Sequence, residues 1–404
     1  MAEFRFIHAA DLHLDSPFRG LAETSTTLRD RLGSATFQAL DRIVTHAIDS
    51  KSDFVLFAGD LYDSRDRSLR ALVEFRRQME RLEDRDIGAF VVHGNHDPLN
   101  GWGSEFKMPS NVLTFDGNVA AQPVIRNGRE VARVTGISYT KERVTDNLAL
   151  SFRRTLGDVY SIALLHANIG RQSGHADYAP APMTDLVRAG FDYWALGHVH
   201  TRAILSASPP IVYPGNPQGR HARETGPRGC FQVDVDSRGG TRLKFVETDV
   251  VRWSRLELSI QDHSRMESLI DGLQDNARRI AAEFDGPTVL RCRLVGNGPL
   301  HADLQREGMS EELQYQLQDF VDVESLRIST GSEIDRTGLK TEPIVSDFLS
   351  LVERAQKDPA FRDELAESLS PLFRKRELFA PDSARIVEWI EKAGALGVDL
   401  LLRK

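Results

Sequence analysis

The chain has 404 residues, of which 41% are hydrophobic and 27% charged, and its formal net charge is −8 at pH 7. It is long enough for two or three domains with cores of their own, and it lacks the apolar run of about eighteen residues that a membrane-spanning helix needs. Its N-terminus has no basic segment followed by an apolar one, so a cytoplasmic location is expected. Cys230 and Cys292 lie in separate apolar segments, which predicts buried free thiols.

The negative charge does not exclude an anionic substrate. Acidic residues outnumber basic ones mainly after residue 250, whereas residues 101–230 carry more basic than acidic side chains. Bound divalent cations would add further positive charge. The charge distribution alone, however, does not require DNA as a partner.

Residues 1–200 alternate strand-like and helix-like patterns. Apolar residues at helical spacing predict one amphipathic helix around Phe37 to Ile48 and a second around Leu69 to Leu82. This alternation predicts neighbouring strands with helices packed outside, so that the loops after the strands converge at one edge. From Val112 onwards shorter strands and turns predict a second sheet. Its strands are expected to include 211–213, 230–235 and 242–246.

After Trp253 the pattern predicts a small α+β domain. The expected order is strand 256–260, helix 265–284, strand 289–294, helix 310–320 and strand 325–328. Beyond Gly338 the chain is predicted to be helical, with Pro343 and Pro359 as first helical residues and Asp382 as an N-cap. We therefore predict three parts, which are residues 1–250, 251–338 and 339–404.

Five polar clusters each follow an apolar, strand-like run. They are Asp11-Leu12-His13, Gly59-Asp60, Gly94-Asn95-His96-Asp97, His166 and Gly197-His198-Val199-His200. Residues i and i+2 of an extended segment face the same side, so both side chains of a D-x-H or H-x-H pair can reach one site. Carboxylate, imidazole and carbonyl ligands suit divalent transition metals such as manganese. One histidine alone would more often be a hydrogen-bonded loop or core residue, but five such clusters in series favour a metal site.

In this order the clusters resemble those of the calcineurin-like metallophosphoesterases, over residues 1–220. The resemblance implies a four-layer α-β-β-α sandwich and two manganese ions per chain. It also implies that Asp11, His13 and His200 hold one ion, that Asn95, His166 and His198 hold the other, and that Asp60 bridges them. His96 would face the substrate phosphate as the catalytic residue. Several relatives carry a second substrate-facing histidine where this chain has Asp63, which we expect to accept a hydrogen bond from a ligand histidine.

Three segments are similar to those of the SbcD-type DNA repair exonucleases, particularly their YhaO-like branch. They are residues 8–15, 58–63 and 212–217. The resemblance implies a manganese-dependent DNA nuclease that is a 3′ to 5′ exonuclease on duplex ends and an endonuclease on single strands. It implies a homodimer, for which residues 98–109 are a candidate contact or else an active-site loop. It implies a cap domain after Trp253 and an SMC-like, SbcC-type ATPase bound through the C-terminal helices.

Four basic residues after the last cluster are candidate DNA contacts, or else belong to an ordinary solvated loop. They are Arg202, Arg220, His221 and Arg223. Two other functions stay open at this point. One is a phosphodiesterase or phosphatase that acts on a small nucleotide, and the other is a largely structural metal-binding subunit of an ATPase complex.

Overall fold

A computed structural model describes residues 2–16, 26–66, 68–102, 106–154, 157, 159–170, 178–332 and 343–374, together with residues 386, 387, 389, 390, 393, 394, 397 and 401. The chain divides into two compact units. The first contains Met1–Ser254 and Phe284–Val289, and the second contains Arg255–Glu283 and Leu290–Lys404.

The first unit contains twelve named strands and three helices among its described residues. In chain order they are β1 (Phe4–Ala9), α1 (Thr26–Asp49), β2 (Phe54–Ala58), α2 (Leu69–Glu83), β3 (Gly88–Val92), β4 (Val112–Thr114), β5 (Ala120–Arg126), β6 (Arg129–Gly136), β7 (Tyr160–His166), α3 (Met183–Ala189), β8 (Tyr193–Gly197), β9 (Ala203–Ala207), β10 (Pro210–Tyr213), β11 (Gly229–Val235) and β12 (Thr241–Glu247). A short 3-10 helix, Leu148–Ser151, precedes β7.

These strands form two six-stranded sheets. The first has the order β12-β11-β1-β2-β3-β4, and the second has the order β5-β6-β7-β8-β10-β9. In the first sheet β1 to β4 are parallel and β11 is antiparallel to β1. In the second sheet β6, β7, β8 and β10 are parallel. Parallel strands are covered on both faces, which explains why every residue of β2 and β7 is buried and why β2 is a continuous apolar run.

Three hydrophobic layers hold this unit together. Between the sheets Phe6 stacks on Phe54 at 5.0 Å and meets Tyr193 edge-on at 5.3 Å, measured between ring centroids. Outside the first sheet, residues of α1 and α2 pack on β1, β2 and β3. Outside the second sheet, α3 and the short 3-10 helix pack on β7 and β8. This arrangement confirms the predicted four-layer α-β-β-α sandwich.

The predicted membership of the two sheets is partly wrong. Strands β4, β11 and β12 belong to the first sheet, although the sequence pattern assigned them to the second. Strands β7 and β8 belong to the second sheet. Sheet membership depends on pairing between segments far apart in the chain, such as Phe6 with Val233, and a local pattern does not encode such pairing. The five polar clusters therefore follow strands of both sheets.

The second unit is built around a three-stranded sheet. Its elements, the first and third of which begin in the first unit, are β13 (Arg252–Ser259), α4 (Met266–Ala282), β14 (Thr288–Asn297), α5 (His301–Leu304), α6 (Met309–Tyr315), β15 (Asp322–Gly331), α7 (Pro343–Lys357) and α8 (Pro359–Arg374). Residues of α4 and α6 pack on the strands through Leu269, Leu273 and Leu313. The α+β pattern is confirmed, but α6 ends earlier than predicted and α5 was not predicted.

Helices α7 and α8 begin at the predicted prolines, as expected of a residue with a fixed φ and no N–H to leave unpaired.

Cys230 and Cys292 are buried and free, as predicted. Among the described residues no helix is long and apolar enough to cross a membrane. The predicted N-cap Asp382 and much of the last helix lie outside the described residues, and the three-part division at residues 250 and 338 stays a prediction.

Candidate metal centre

The loops after β1 and β2 continue the pairing of their strands beyond the sheet. The backbone N–H of Asp11 donates to the carbonyl of Gly59 at 3.0 Å, and that of His13 donates to the carbonyl of Asp60 at 3.0 Å. The second sheet joins them, because the N–H of His198 donates to the Asp11 carboxylate at 2.9 Å. Clusters that are far apart in the sequence therefore meet at one edge of the sandwich.

Several backbones in these loops are strained. Asp11, His13, Asp60 and His198 all have positive φ angles, of 54°, 42°, 53° and 102° respectively. Residues other than glycine rarely adopt such angles, and each costs on the order of 1–3 kcal/mol. The surrounding hydrogen bonds hold these residues in place, and such strain is concentrated at functional sites.

The cluster contains three groups of three residues, and within each group the candidate ligand atoms lie within 4.8 Å of one another. They are Asp11 with His13 and His200, His13 with Asp60 and His96, and Asp11 with Asp60 and His166. Since the groups share members, they form one continuous cluster. Asn95 joins it through its side-chain oxygen, 3.2 Å from His166 Nε2, and the His198 ring lies 5.2 Å from the His166 ring.

The hydrogen bonds of the imidazoles direct their lone pairs towards this cluster. His166 Nδ1 donates to the carbonyl of Ala58 at 2.9 Å, and burial lowers the pKa of His166 to about 4, against the effect of that bond. The neutral ring therefore presents an unprotonated Nε2. That nitrogen faces two further acceptors, the Asn95 oxygen at 3.2 Å and Asp60 Oδ2 at 3.4 Å. Electron pairs facing each other repel unless a cation lies between them.

The same arrangement recurs at His13 and His200. His200 Nδ1 donates to Glu224 at 2.7 Å, and its Nε2 lies 3.2 Å from His13 Nε2. Burial lowers the pKa of both histidines, so both rings are neutral, and the lone pair on His200 Nε2 faces His13 Nε2. Two nitrogens bound to one transition metal at about 2.1 Å each are separated by a comparable distance. These residues fit a divalent cation.

Asp60 lies between the two halves of the cluster. Its Oδ2 is 3.4 Å from His166 Nε2 and 3.8 Å from His13 Nε2. Burial raises the pKa of Asp60 to about 6, although the charge of His96 opposes this rise. Burial and the charge of Asp60 also raise the pKa of Asp11. Bound cations would offset the cost of burying two carboxylates side by side.

His96 differs from the other rings of the cluster because 45% of its side chain is exposed. Burial of its remaining part lowers its pKa, but the hydrogen bond from Nδ1 to Asp63 and the charges of Asp60 and Asp63 outweigh this effect and raise the pKa to about 9. With Nδ1 bound to Asp63, Nε2 is the nitrogen left for a substrate. Asp63 also lies 3.4 Å from His13 Nδ1.

Two glycines of the motifs are required by the close approach of His166. A Cβ on Gly94 would lie 2.3 Å from Asp60 Oδ1 and 2.7 Å from His166 Nε2. A Cβ on Gly59, whose φ is +90°, would lie 2.4 Å from His166 Nδ1. The glycines before the polar residues are therefore part of the site, since any side chain would displace a candidate ligand.

Sequence reasoning missed the role of Asp97. Its buried carboxylate accepts hydrogen bonds from the backbone N–H groups of Asp60 at 3.2 Å, Leu61 at 2.9 Å and Gly94 at 2.7 Å, and lies 3.1 Å from His93 Nδ1. One side chain thus ties the loop after β2 to the loop after β3. The position of Asp97 at the end of the G-N-H-D motif was the one feature of the sequence that could have indicated this role.

Sequence reasoning also missed Glu224, whose carboxylate accepts the hydrogen bond from His200 Nδ1.

Among the candidate DNA contacts, Arg220 lies beside the cluster, with Nη1 3.9 Å from Asp63 Oδ2. His221 Nε2 is 3.6 Å from Glu224. Arg223 is exposed on the same loop, whereas the Arg202 guanidinium lies 4.0 Å above the ring of Phe245 in β12. The assigned roles of all these residues, and of the metal ligands, stay predictions.

Comparisons with known proteins agree with this geometry. A family model described as Calcineurin-like phosphoesterase matches residues 4–202, and one described as the middle domain of metallophosphoesterase YhaO matches residues 253–331. The uncharacterized metallophosphoesterase YhaO of Bacillus subtilis is 32% identical over 378 residues, which cover 90% of this chain and 92% of that protein.

Two archaeal proteins named DNA double-strand break repair protein Mre11 are more distant. The protein of Sulfurisphaera tokodaii is 23% identical over 293 residues, 70% of each chain. That of Thermoplasma acidophilum is 29% identical over 262 residues, 61% of this chain and 66% of its own. The matches confirm the family resemblance that the five motifs predicted.

The replacement Asp97→Asn should destabilise the first unit. An amide has one acceptor oxygen and turns an NH₂ group towards backbone donors, so at least one buried N–H loses its partner, at a cost of about 1–3 kcal/mol. Denaturant unfolding of the metal-free protein measures this loss. Asp49→Asn, an exposed replacement at the end of α1, is the control and should change stability by less than about 0.5 kcal/mol. Equal stability of the two variants would show that Asp97 does not hold the loops.

Proposed function

This chain belongs to the calcineurin-like metallophosphoesterase family, and on that premise we propose that it is a manganese-dependent DNA nuclease. Membership implies a metal-dependent phosphoester hydrolase. The narrower proposal is a two-metal phosphodiesterase in DNA repair, in the cytoplasm, that degrades duplex ends from 3′ to 5′ and cuts single strands endonucleolytically.

The observation that carries the proposal is the position of Asp60 Oδ2 between His13 Nε2 and His166 Nε2. It supports Asp60 as the bridge between two ions. In the proposed scheme Asp11, His13 and His200 hold the first ion. Asn95, His166 and His198 hold the second. Carboxylate, imidazole and amide oxygen donors in this mixture favour manganese over softer metals.

When bound, the two cations neutralise phosphate charge and lower the pKa of a water that attacks phosphorus. The protein's own groups supply the rest. His96, charged at neutral pH, donates its Nε2 proton to the leaving oxygen, while Asp63 holds Nδ1 and keeps the ring oriented. Four basic residues near the mouth of the site are proposed to contact the DNA backbone: Arg202, Arg220, His221 and Arg223.

The names of the archaeal relatives support DNA over a small nucleotide as the substrate. The second unit gives weaker support, since a small nucleotide would not require a further domain. A purely structural role for the metals is less consistent with His96. A partly exposed histidine beside the cluster, with its pKa raised to about 9, serves no obvious purpose on a passive surface.

A panel of substrates tests the proposal. Labelled duplex DNA, single-stranded DNA, a cyclic nucleotide and bis-p-nitrophenyl phosphate should be incubated separately with manganese and with a chelator. We expect manganese-dependent cleavage of both DNAs, with shortening of the duplex from its 3′ ends. Turnover of the cyclic nucleotide without cleavage of DNA would contradict a nuclease, and no turnover of any substrate would contradict an enzyme.

A pair of variants separates metal binding from proton transfer. Asp60→Asn should lose at least one metal together with activity, because the bridge supplies negative charge to both ions. His96→Ala should keep both metals and lose about 10²- to 10⁴-fold in rate, which is the usual contribution of a positioned acid. Elemental analysis and single-turnover rates measure the two effects. Loss of metal from His96→Ala would place His96 among the ligands, and two metals in Asp60→Asn would exclude Asp60 as the bridge.

We further propose a homodimer and a coiled-coil ATPase partner of the SbcC type. Leu69 and Val73 are exposed one turn apart on α2, which flanks the site, and support pairing through this helix. Trp102 and Phe106, in the segment considered from the sequence, pack against their own core instead, and residues 103–105 lie outside the described residues.

The face of α7 supports the ATPase partner. Ile344 is 64% exposed and Leu351 is 53% exposed, and residues seven apart lie on the same side of a helix. The side next to this pair is covered, because Gly394 and Gly397 lie close to Val352 and Phe348. An exposed apolar stripe on a helix suits a coiled-coil partner.

Replacing Ile344 and Leu351 by Asp should abolish binding to a cognate coiled-coil ATPase and leave cleavage of single-stranded DNA unchanged. Charge on the contact face opposes apolar association without disturbing a buried core. Co-purification and a nuclease assay measure the two effects. Leu150→Asp, an exposed apolar residue of the first unit, is the control. Retained binding by the double variant would contradict this contact.

A further inference from the structure

Glu224 accepts hydrogen bonds from three donors, two on its own loop and one on a candidate ligand. Only 6% of its side chain is exposed. Its Oε1 accepts from His200 Nδ1 at 2.7 Å and lies 3.6 Å from His221 Nε2. Its Oε2 accepts from the Asn216 side-chain amide at 2.9 Å and from the backbone N–H of Arg220 at 2.7 Å. Burial raises the pKa of Glu224, but the hydrogen bond from His200 and the charges of His200, Arg220 and His221 outweigh this effect and hold the pKa below its usual range.

The bond to His200 determines which nitrogen of that ring carries its proton. With Nδ1–H donated to a carboxylate, Nε2 keeps its lone pair and faces His13 Nε2 at 3.2 Å. A partner of this kind fixes the ring orientation and the basicity of a metal-binding imidazole. Without it, the proton could reside on Nε2, where it would block coordination.

The bond from the backbone N–H of Arg220 holds the backbone from which a guanidinium extends. The Arg220 side chain is only 15% exposed, with Nη1 3.1 Å from Ser16 Oγ and 3.9 Å from Asp63 Oδ2. Its Nε finds no hydrogen-bond acceptor among the described residues. A nearly buried donor of an always-charged group, at the edge of the candidate metal centre, suits an anionic oxygen of a ligand.

We propose that Glu224 is a positioning residue that couples the metal site to phosphate binding. Through His200 it sets the affinity for metal. Through the backbone of Arg220 it sets the affinity for a phosphodiester, and this second half depends on the nuclease function proposed above. Oε1 accepts from His200 and Oε2 accepts from Arg220, so loss of the carboxylate charge disturbs both metal binding and phosphate binding.

Glutamine cannot replace this carboxylate. All its neighbours at hydrogen-bond distance are donors, on both oxygens. An amide oriented towards His200 places its NH₂ group against the Asn216 amide and the Arg220 N–H. The opposite orientation places NH₂ against His200 Nδ1 and forces that nitrogen to become an acceptor. Either orientation loses one of the two functions of the residue.

Three measurements on the full chain test the proposal with Glu224→Gln. In metal-free protein, long-range ¹H–¹⁵N spectra assign the His200 proton, with a His200→Gln spectrum to identify the signal. We expect Nδ1–H in the wild type and a mixed or Nε2–H form in the variant. Manganese affinity, by calorimetry, should fall about 10- to 100-fold, as for other partners of metal-binding histidines. Binding of single-stranded DNA in chelator should fall as much as in Arg220→Gln.

A double-mutant cycle shows whether Glu224 acts on DNA through Arg220. Glu224→Gln combined with Arg220→Gln should bind DNA no more weakly than Arg220→Gln alone. Asp192→Asn is the matched control, because Asp192 also binds one arginine, Arg154, and one backbone N–H, that of Ser161, at the far end of β8. It should leave the tautomer, the metal affinity and DNA binding unchanged.

An unchanged His200 tautomer together with unchanged metal affinity would overturn the first half of the proposal. Additive losses in the cycle would overturn the second. If wild-type protein binds no DNA, the nuclease proposal and the second half fail together, while the tautomer and metal affinity still decide the first half. Should Glu224→Gln not fold, Glu224→Asp, which keeps the charge on a shorter side chain, takes its place. Wild-type metal and DNA affinities in that variant would contradict the proposal.

Discussion

Asp60 is the residue on which the surrounding loops depend, because each of its polar groups holds a different neighbour. Its carbonyl accepts from the N–H of His13, and its own N–H donates to Asp97. Its Oδ1 accepts from the N–H of His96, and its Oδ2 faces His166 from the second sheet. The left-handed backbone of Asp60 makes these four directions compatible. Moving this residue would therefore displace loops of both sheets at once.

This arrangement favours function over stability. Two buried carboxylates lie next to neutral imidazoles whose lone pairs point inward, and four residues of these loops adopt strained backbone angles. Each feature costs free energy in the metal-free protein. The wide aromatic and aliphatic core between the sheets, with the helical layers outside, offsets these costs. A scaffold of this size can hold a site that would be unstable in a small domain.

The sequence predicted features that depend on neighbouring residues and missed those that depend on distant ones. The helices starting at Pro343 and Pro359 are local patterns, and the sequence predicted them correctly. The D-x-H and H-x-H pairs were expected to be extended, but Asp11, His13 and His198 have positive φ angles because long-range hydrogen bonds hold their loops. The sheet to which β11 belongs depends on pairing with β1, more than two hundred residues away. Asp97 and Glu224 resemble ordinary loop carboxylates in the sequence. Their importance lies in the donors that folding brings to them.

The candidate ligands come from strands of two sheets that are joined chiefly by apolar packing. His13 follows β1 of the first sheet, whereas His200 follows β8 of the second. A cation held between them would be a cross-link between the layers, present only in the folded chain. Its binding free energy then becomes part of the folding free energy of the first unit. By mass action this amounts to about 2.7 kcal/mol when free metal is a hundred times its dissociation constant. Metal supply would thus control what fraction of the first unit is folded, as well as whether the site is loaded.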